Sequence, residues 1–243
     1  MKKLIFFVTI FPLTILFANA IMIRVGIKER LDGEISFFNI KEIFNLVKFE
    51  IEFYNTGSLE YKARVRVDIL NNSKIVFTAW SNEVYFSPGD RRNFNLYWFS
   101  NTSGNFTIRV RVYYGNEIEE KIFNFKKNSF NQSLKNIEIS PVRVYDNFIV
   151  FDLKTEKNIS KVIIIPDHFP TTWIVEQKEI EIKGRKTVSI DYLPVTLKER
   201  EGKIIVVSSD GKYFGERNFI FKKEIGLKYY ILLLIDKIKL AFY

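Results

Sequence analysis

The sequence predicts an all-β protein of two tandem antiparallel β-sandwiches followed by a short helix. Three observations carry that prediction. Apolar and polar residues alternate at period two along most of the chain, the signature of half-buried strands. Clusters of Asn, Asp, Gly, Ser and Pro interrupt the alternation every ~8 to 12 residues, which is the spacing of a sandwich. A helical period appears only beyond Ile225.

The first block opens with Ile21, Ile23, Val25 and Ile27 alternating against Met22, Arg24, Gly26 and Lys28. Val47, Phe49, Ile51 and Phe53 repeat the pattern, with Lys48, Glu50, Glu52 and Tyr54 opposite, until Asn55-Thr56-Gly57-Ser58 turns the chain. Ala63, Val65, Val67 and Ile69 form the next inward series and Asn71-Asn72 ends it. Shorter strands are expected at 75–80 and 84–86, followed by the Ser87-Pro88-Gly89-Asp90 turn. Alternation resumes with Phe94, Leu96 and Trp98 and, beyond Gly104, with Ile108, Val110 and Val112. The polar stretch KKNSFNQSLK then marks a domain boundary. In the second block, strands are expected at 137–145, 147–153, 161–165, 178–182, 187–192, 203–208 and 213–221, with Ser209-Asp210-Gly211 as a hairpin turn.

Each block has the length of an immunoglobulin-like sandwich, about 100 residues. The expected organisation is a signal peptide at 1–20, a first sandwich at 21–127, a linker at 128–136, a second sandwich at 137–223 and an amphipathic helix at 224–243. In that helix Leu227, Ile231, Leu234 and Ile238 fall at steps of four and three and form an interface face, with Lys228, Asp236, Lys237 and Lys239 opposite. The face fits docking on a sandwich, on a partner or in a membrane surface.

The signal expectation rests on Lys2 and Lys3, the apolar run at 4–17 and the Ala18-Asn19-Ala20 cleavage pattern. Apolarity resumes at Ile21, Met22 and Ile23, so an uncleaved membrane anchor is the alternative. Export implies a secreted or cell-surface protein. With no cysteine, such a protein has to be stabilised by burial and backbone pairing rather than by disulfides.

The sequence contains little catalytic chemistry. His168 is the sole imidazole, so a His-rich metal site is excluded, and no G-x-S-x-G elbow accompanies it. No glycine-rich phosphate loop is present, and no cofactor is expected. Glu119, Glu120, Asp146 and Asp152 could in principle form a glycosidase pair, but alternating strands give them no cleft. Asp90, Asp146, Asp167 and Asp210 sit in expected turns, where Asp bonds local backbone, so no metal site is assigned. No catalytic residue is named. Trp80, Trp98 and Trp173 could offer a sugar platform, although Trp98 continues an inward series. Five sequons, at Asn71, Asn101, Asn105, Asn131 and Asn158, are compatible with glycosylation.

A formal charge of +9 favours anionic partners. Outward phases place Arg64 and Arg66 on one strand and Arg109 and Arg111 on another, followed by Tyr113. In an immunoglobulin-like order these strands are neighbours, so the four guanidiniums share one face, which has to be neutralised by an anionic partner or by Glu119 or Glu120 on the next strand.

The first block resembles the archaeal and bacterial cell-adhesion-related surface domain called CARDB. The landmarks are Asn55-Thr56-Gly57, the inward series from Ala63 to Ile69, Ser87-Pro88-Gly89-Asp90, Trp98, and Gly104-Asn105-Phe106 leading into Ile108, Val110 and Val112. Glu117-Ile118-Glu119-Glu120-Lys121 stands where that family carries an acidic, Asn-rich run, which weakens any calcium inference. The second block is loosely similar to the glycosidase-associated (NPCBM-associated) sandwich, through Trp173-Ile174-Val175, Lys183-Gly184-Arg185 and the stretch from Ile190 to Pro194. These resemblances imply an extracellular, accessory or adhesive role. The function expected is therefore a non-enzymatic envelope module for binding, adhesion or structure, with a polysaccharide-binding or glycosidase-accessory module as the alternative. The partner expected is an envelope protein or an anionic cell-surface polymer, with peripheral membrane contact through the N-terminus or the C-terminal helix. No nucleic acid is expected.

Overall fold

The computed structural model describes residues 29–128, 133–156, 159–193, 199–222 and 226–242, with the side chain of Phe242 excepted. The expected signal at 1–20, the expected first strand at 21–28 and the sequons at Asn131 and Asn158 lie outside the described residues. Residues Leu31–Tyr243 form one compact unit.

Within that unit the protein is two immunoglobulin-like sandwiches and a helix. The first sandwich comprises β1 (Glu34–Ile43), β2 (Leu46–Tyr54), β3 (Tyr61–Asn71), β4 (Lys74–Trp80), β5 (Val84–Phe86), β6 (Arg91–Phe99), β7 (Gly104–Tyr114) and β8 (Glu117–Lys127). Sheet β1-β2-β6 packs over sheet β4-β3-β7-β8, with β5 added beside β3. The inward phases meet in the core, where Val47, Phe49, Ile51, Phe53, Val65, Val67, Ile69, Leu96, Ile108, Val110 and Val112 are buried. β1 is a strand that the alternation does not predict. Its register shifts between Ile35 and Phe37, so the period breaks and Phe37 points outward. The β3–β4 hairpin turns on Asn72 and Ser73, whose φ values of 47° and 66° are those of a tight turn matched to strand twist.

The second sandwich comprises β9 (Leu134–Lys135), β10 (Glu138–Ile139), β11 (Arg143–Val144), β12 (Phe148–Lys154), β13 (Lys161–Asp167), β14 (Ile174–Val175), β15 (Lys178–Glu181), β16 (Arg185–Leu193), β17 (Glu201–Ser208) and β18 (Tyr213–Ile220). Its sheets run β10-β12-β16-β14, with β11 beside β12, and β15-β13-β17-β18-β9. The strand expected at 137–145 is split into β10 and β11 by Ser140-Pro141-Val142, because Pro141 has no N–H to donate to a ladder. The stretch read as a linker contributes β9, which pairs parallel to β18.

The two sandwiches are fused along a shared core. In β13, Val162 and Ile164 point into the second sandwich, while Ile163 and Ile165 join the core of the first. β17 divides in the same way, Ile204 and Val206 against Ile205 and Val207. The ring of Phe214 in β18 lies 5.0 Å from that of Phe99 at the end of β6. The two central strands of that sheet, β13 and β17, are thus buried on both faces, and each carries an unbroken apolar run, Val162–Ile165 and Ile204–Val207.

Helix α1 (Leu227–Phe242) covers the outer face of sheet β10-β12-β16-β14. Tyr229, Leu233 and Leu240 pack on Tyr145, Phe148 and Val150.

Candidate functional site

β3 and β7 are antiparallel neighbours in the register Arg64↔Tyr113, Arg66↔Arg111 and Asp68↔Arg109. Cross-strand pairs share a sheet face, so the four arginines come together as their phases require. What neutralises them differs from expectation. Asp68, fully buried on the same face, accepts from Arg66 Nε at 2.9 Å, Arg109 NH2 at 3.4 Å, Arg111 NH2 at 2.5 Å and the Thr78 hydroxyl at 2.7 Å. Of the two glutamates expected there, Glu120 reaches Arg111 only at 3.5 Å. Arg64 pairs at 3.3 Å with Glu176 of the second sandwich. The cluster holds four guanidiniums and three carboxylates, so most of its positive charge is compensated within the protein and one charge is left over.

Aromatic side chains cover the cluster. The Arg66 guanidinium lies 5.2 Å over the Trp80 ring, and Trp80 lies 5.5 Å from Tyr113. Trp80 Nε1 and the Nε atoms of Arg64 and Arg109 are buried without a hydrogen-bond partner. Asp68 was legible as a partner, since R-x-R-x-D repeats the outward phase of Arg64 and Arg66. Glu176 was not, because it comes from a distant segment.

That segment seals the seam between the sandwiches. β4 and β6 are edge strands, and an edge presents unpaired backbone groups that have to be covered. Gln177 covers both. Its side chain accepts from Tyr97 N at 2.8 Å and donates to Tyr97 O at 2.6 Å, as a strand neighbour would, while its own N–H donates to Trp80 O at 3.2 Å. The Tyr97 hydroxyl donates to Glu179, which also pairs with Lys161. Burial pushes the Glu179 carboxyl up, but the bonds from Lys161 and Tyr97 outweigh it and hold the group below its ordinary value. Burial and the Glu179 partner together push the Tyr97 phenol well above its ordinary value.

A groove of about 580 Å³ opens beside the seam, lined by Trp80, Asp167, His168, Phe169, Trp173 and Arg200 among others. His168 is an exposed loop residue with φ of 58°, its N–H bonded to Asp167 Oδ1 at 2.9 Å. All three tryptophans are buried, Trp80 with 8%, Trp98 with 5% and Trp173 with 3% of its surface exposed. None offers an open ring face for a sugar to stack on.

Of the three dockings the apolar face of the helix fits, the structure removes the one on the sandwich. Leu227, Ile231, Leu234 and Ile238, the expected interface face, are 77%, 51%, 62% and 49% exposed, so they do not dock on the sandwich. Asp236, expected on the polar side, is buried. It accepts from Arg143 Nε at 2.6 Å, Arg143 NH2 at 3.0 Å and the Tyr145 hydroxyl at 2.7 Å. A bidentate charged pair completed by a phenol fixes the rotation of a helix more firmly than apolar contacts alone. Asp236 escaped the sequence reading because it stands with lysines, and its partners lie far away in the chain.

Among the sequons, Asn71, Asn101 and Asn105 are exposed, at the end of β3, before β7 and in β7. The Asn101 side-chain oxygen accepts from Asn45 Nδ2 at 2.9 Å. Among the described residues, no group of three His, Cys, Asp or Glu is placed to hold a metal ion.

No protein-family model matches the chain, and no curated protein does. Solved structures with a similar chain path include red sea bream transglutaminase, at TM-score 0.30 and 10% identity over 83% of this chain. The chain covers 32% of that enzyme's length. Another is the chicken interferon gamma receptor alpha chain, at TM-score 0.27 and 9% identity over 81% of this chain and 100% of the receptor chain.

Proposed function

We propose that the protein is a non-enzymatic module of the cell envelope that presents a rigid double sandwich to an envelope partner. The observation that carries this reading is the seam. A shared apolar core, the Gln177 pairing with both edge strands and the Arg64–Glu176 ion pair lock the two sandwiches into one body. Such a body suits the display of surfaces at a fixed spacing, since it leaves no hinge for a closing cleft between the sandwiches. Partial neutralisation of the arginine face by Asp68, Glu120 and Glu176 weakens its attraction for an anionic polymer. The burial of the three tryptophans counts against the polysaccharide-binding alternative.

The test is fractionation of native cells, with protease treatment of intact cells and intact-mass analysis. Recovery with the envelope, accessibility to protease from outside and a mass starting at Ile21 are expected. A protein protected inside the cytoplasm at full mass overturns the reading.

A further inference from the structure

The outward face of α1 is apolar and exposed. Leu227, Tyr230, Ile231, Leu234, Ile235 and Ile238 are each between 42% and 77% exposed on one helix of 16 residues. At 100° per residue they occupy an arc of about 140°, and the helix runs about 24 Å. The arc is bordered by Lys228 and Lys239 on one side and Lys237 on the other. Lys228 and Lys237 are exposed, while Lys239 is half-buried with its charge beside Asp152. The only acid of the helix, Asp236, is turned inward and held by Arg143. Apart from the Tyr230 hydroxyl, everything the helix shows to solvent is therefore apolar or positive.

We propose that α1 lies in the surface of an anionic lipid bilayer, with Leu227, Ile231, Leu234 and Ile238 immersed among the acyl chains and the lysines at headgroup level. Three features select lipid over other occupants. The charges on the rim are all positive, complementary to anionic headgroups, and lysine stems reach from an apolar face to that level. A second copy of the same face brings lysine against lysine with no acid to offset them. A protein groove for these anchors has to carry acids matched in position to Lys228 and Lys237, whereas an anionic lipid surface supplies that charge without directional contacts. No described helix is long and apolar enough to cross a membrane, so α1 lies in the plane of the surface. This inference goes beyond the envelope reading, and the helix alone carries it.

The absence of cysteine gives a clean test on the full chain. Leu234→Cys carries an environment-sensitive fluorophore, and Glu117→Cys, exposed on the first sandwich, carries the same label as a control. Phosphatidylglycerol-rich vesicles are expected to blue-shift the label at 234 and expose it to lipid-borne quenchers, while the label at 117 stays in water. Affinity is expected to exceed that for phosphatidylcholine vesicles by about fivefold for each of Lys228 and Lys237. Replacing Ile231 and Ile238 together, as Ile231→Ser with Ile238→Ser, is expected to abolish the shift of the label at 234. The melting temperature should stay within a few degrees, because both side chains face solvent. A label at 234 that remains in water, whether or not the chain is held on the vesicles, overturns the proposal. So does a shift that needs no vesicles and grows with protein concentration, which identifies a second copy. Failure of the envelope reading shows in the fractionation of cells and leaves this vesicle result untouched.

Discussion

Asp68 accepts from three arginines and Thr78 without reaching solvent, so removing its charge leaves those arginines facing one another in a poorly hydrated patch. Asp68→Asn is expected to destabilise the protein by about 3 kcal/mol, since breaking a buried pair strands the partner charges. Added sulfate or phosphate restores part of the melting temperature if the loss is electrostatic; no restoration by either anion points to packing instead. Glu50 behaves differently. Its bonds to Lys41, Lys48 and Asn39 pull the carboxyl down to about 2, below its unfolded value. A depressed carboxylate contributes stability that is complete above its unfolded pKa and fades as pH falls toward the folded one. The contribution is therefore expected to fade below about pH 4.5 and to be gone near pH 2. Carboxyl NMR titration of Glu50 checks the value, and a midpoint at the ordinary glutamate position refutes the network.

At the scale of elements, α1 is coupled to the second sandwich through one acid. Asp236→Ala leaves the Arg143 guanidinium half-buried beside Asp152 with its main partner gone, and a loss of about 3 kcal/mol is expected in chemical denaturation. A loss below about 1 kcal/mol, the range of an exposed pair, shows that apolar packing of Tyr229, Leu233 and Leu240 holds the helix instead. The same element marks how far the sequence can be read. Strands with regular alternation, such as β2, β3 and β7, were legible because one face is wet and the other dry. β1 was hidden by its bulge, and the split of β10 from β11 turned on one proline. The helix was legible as a helix, but not its rotation. Hydrophobic periodicity names an apolar face, whereas the inward face was decided by Arg143 and Tyr145, whose distance from Asp236 in the chain carries no local pattern. The arginine face was legible to the same depth: phase predicted the cluster, while the Glu176 contact required the tertiary fold.

For the whole molecule, the shared core predicts a single unfolding transition. Calorimetry is expected to show one peak, and reversible unfolding in urea to show coincident transitions by fluorescence and circular dichroism. Gln177→Ala, which frees both backbone groups of Tyr97, is expected to lower stability by about 2 kcal/mol while keeping one peak, and two resolved peaks in the parent protein would show that the sandwiches fold separately. The burial of β13 and β17 on both faces has a further consequence, for the chain before it is folded. Val162–Ile165 and Ile204–Val207 have no polar phase, lack charge and proline, and are rich in β-branched residues. Segments of that kind stack on their own copies when they are left uncovered. β13 leaves the ribosome about 40 residues before its partner β17, an interval of seconds at ordinary rates of synthesis. A chain in that state has to be shielded until both of its covering layers exist. The same seam that makes the native body rigid makes the newly made chain the form most prone to aggregate, and heating past the transition is expected to end in precipitation instead of refolding.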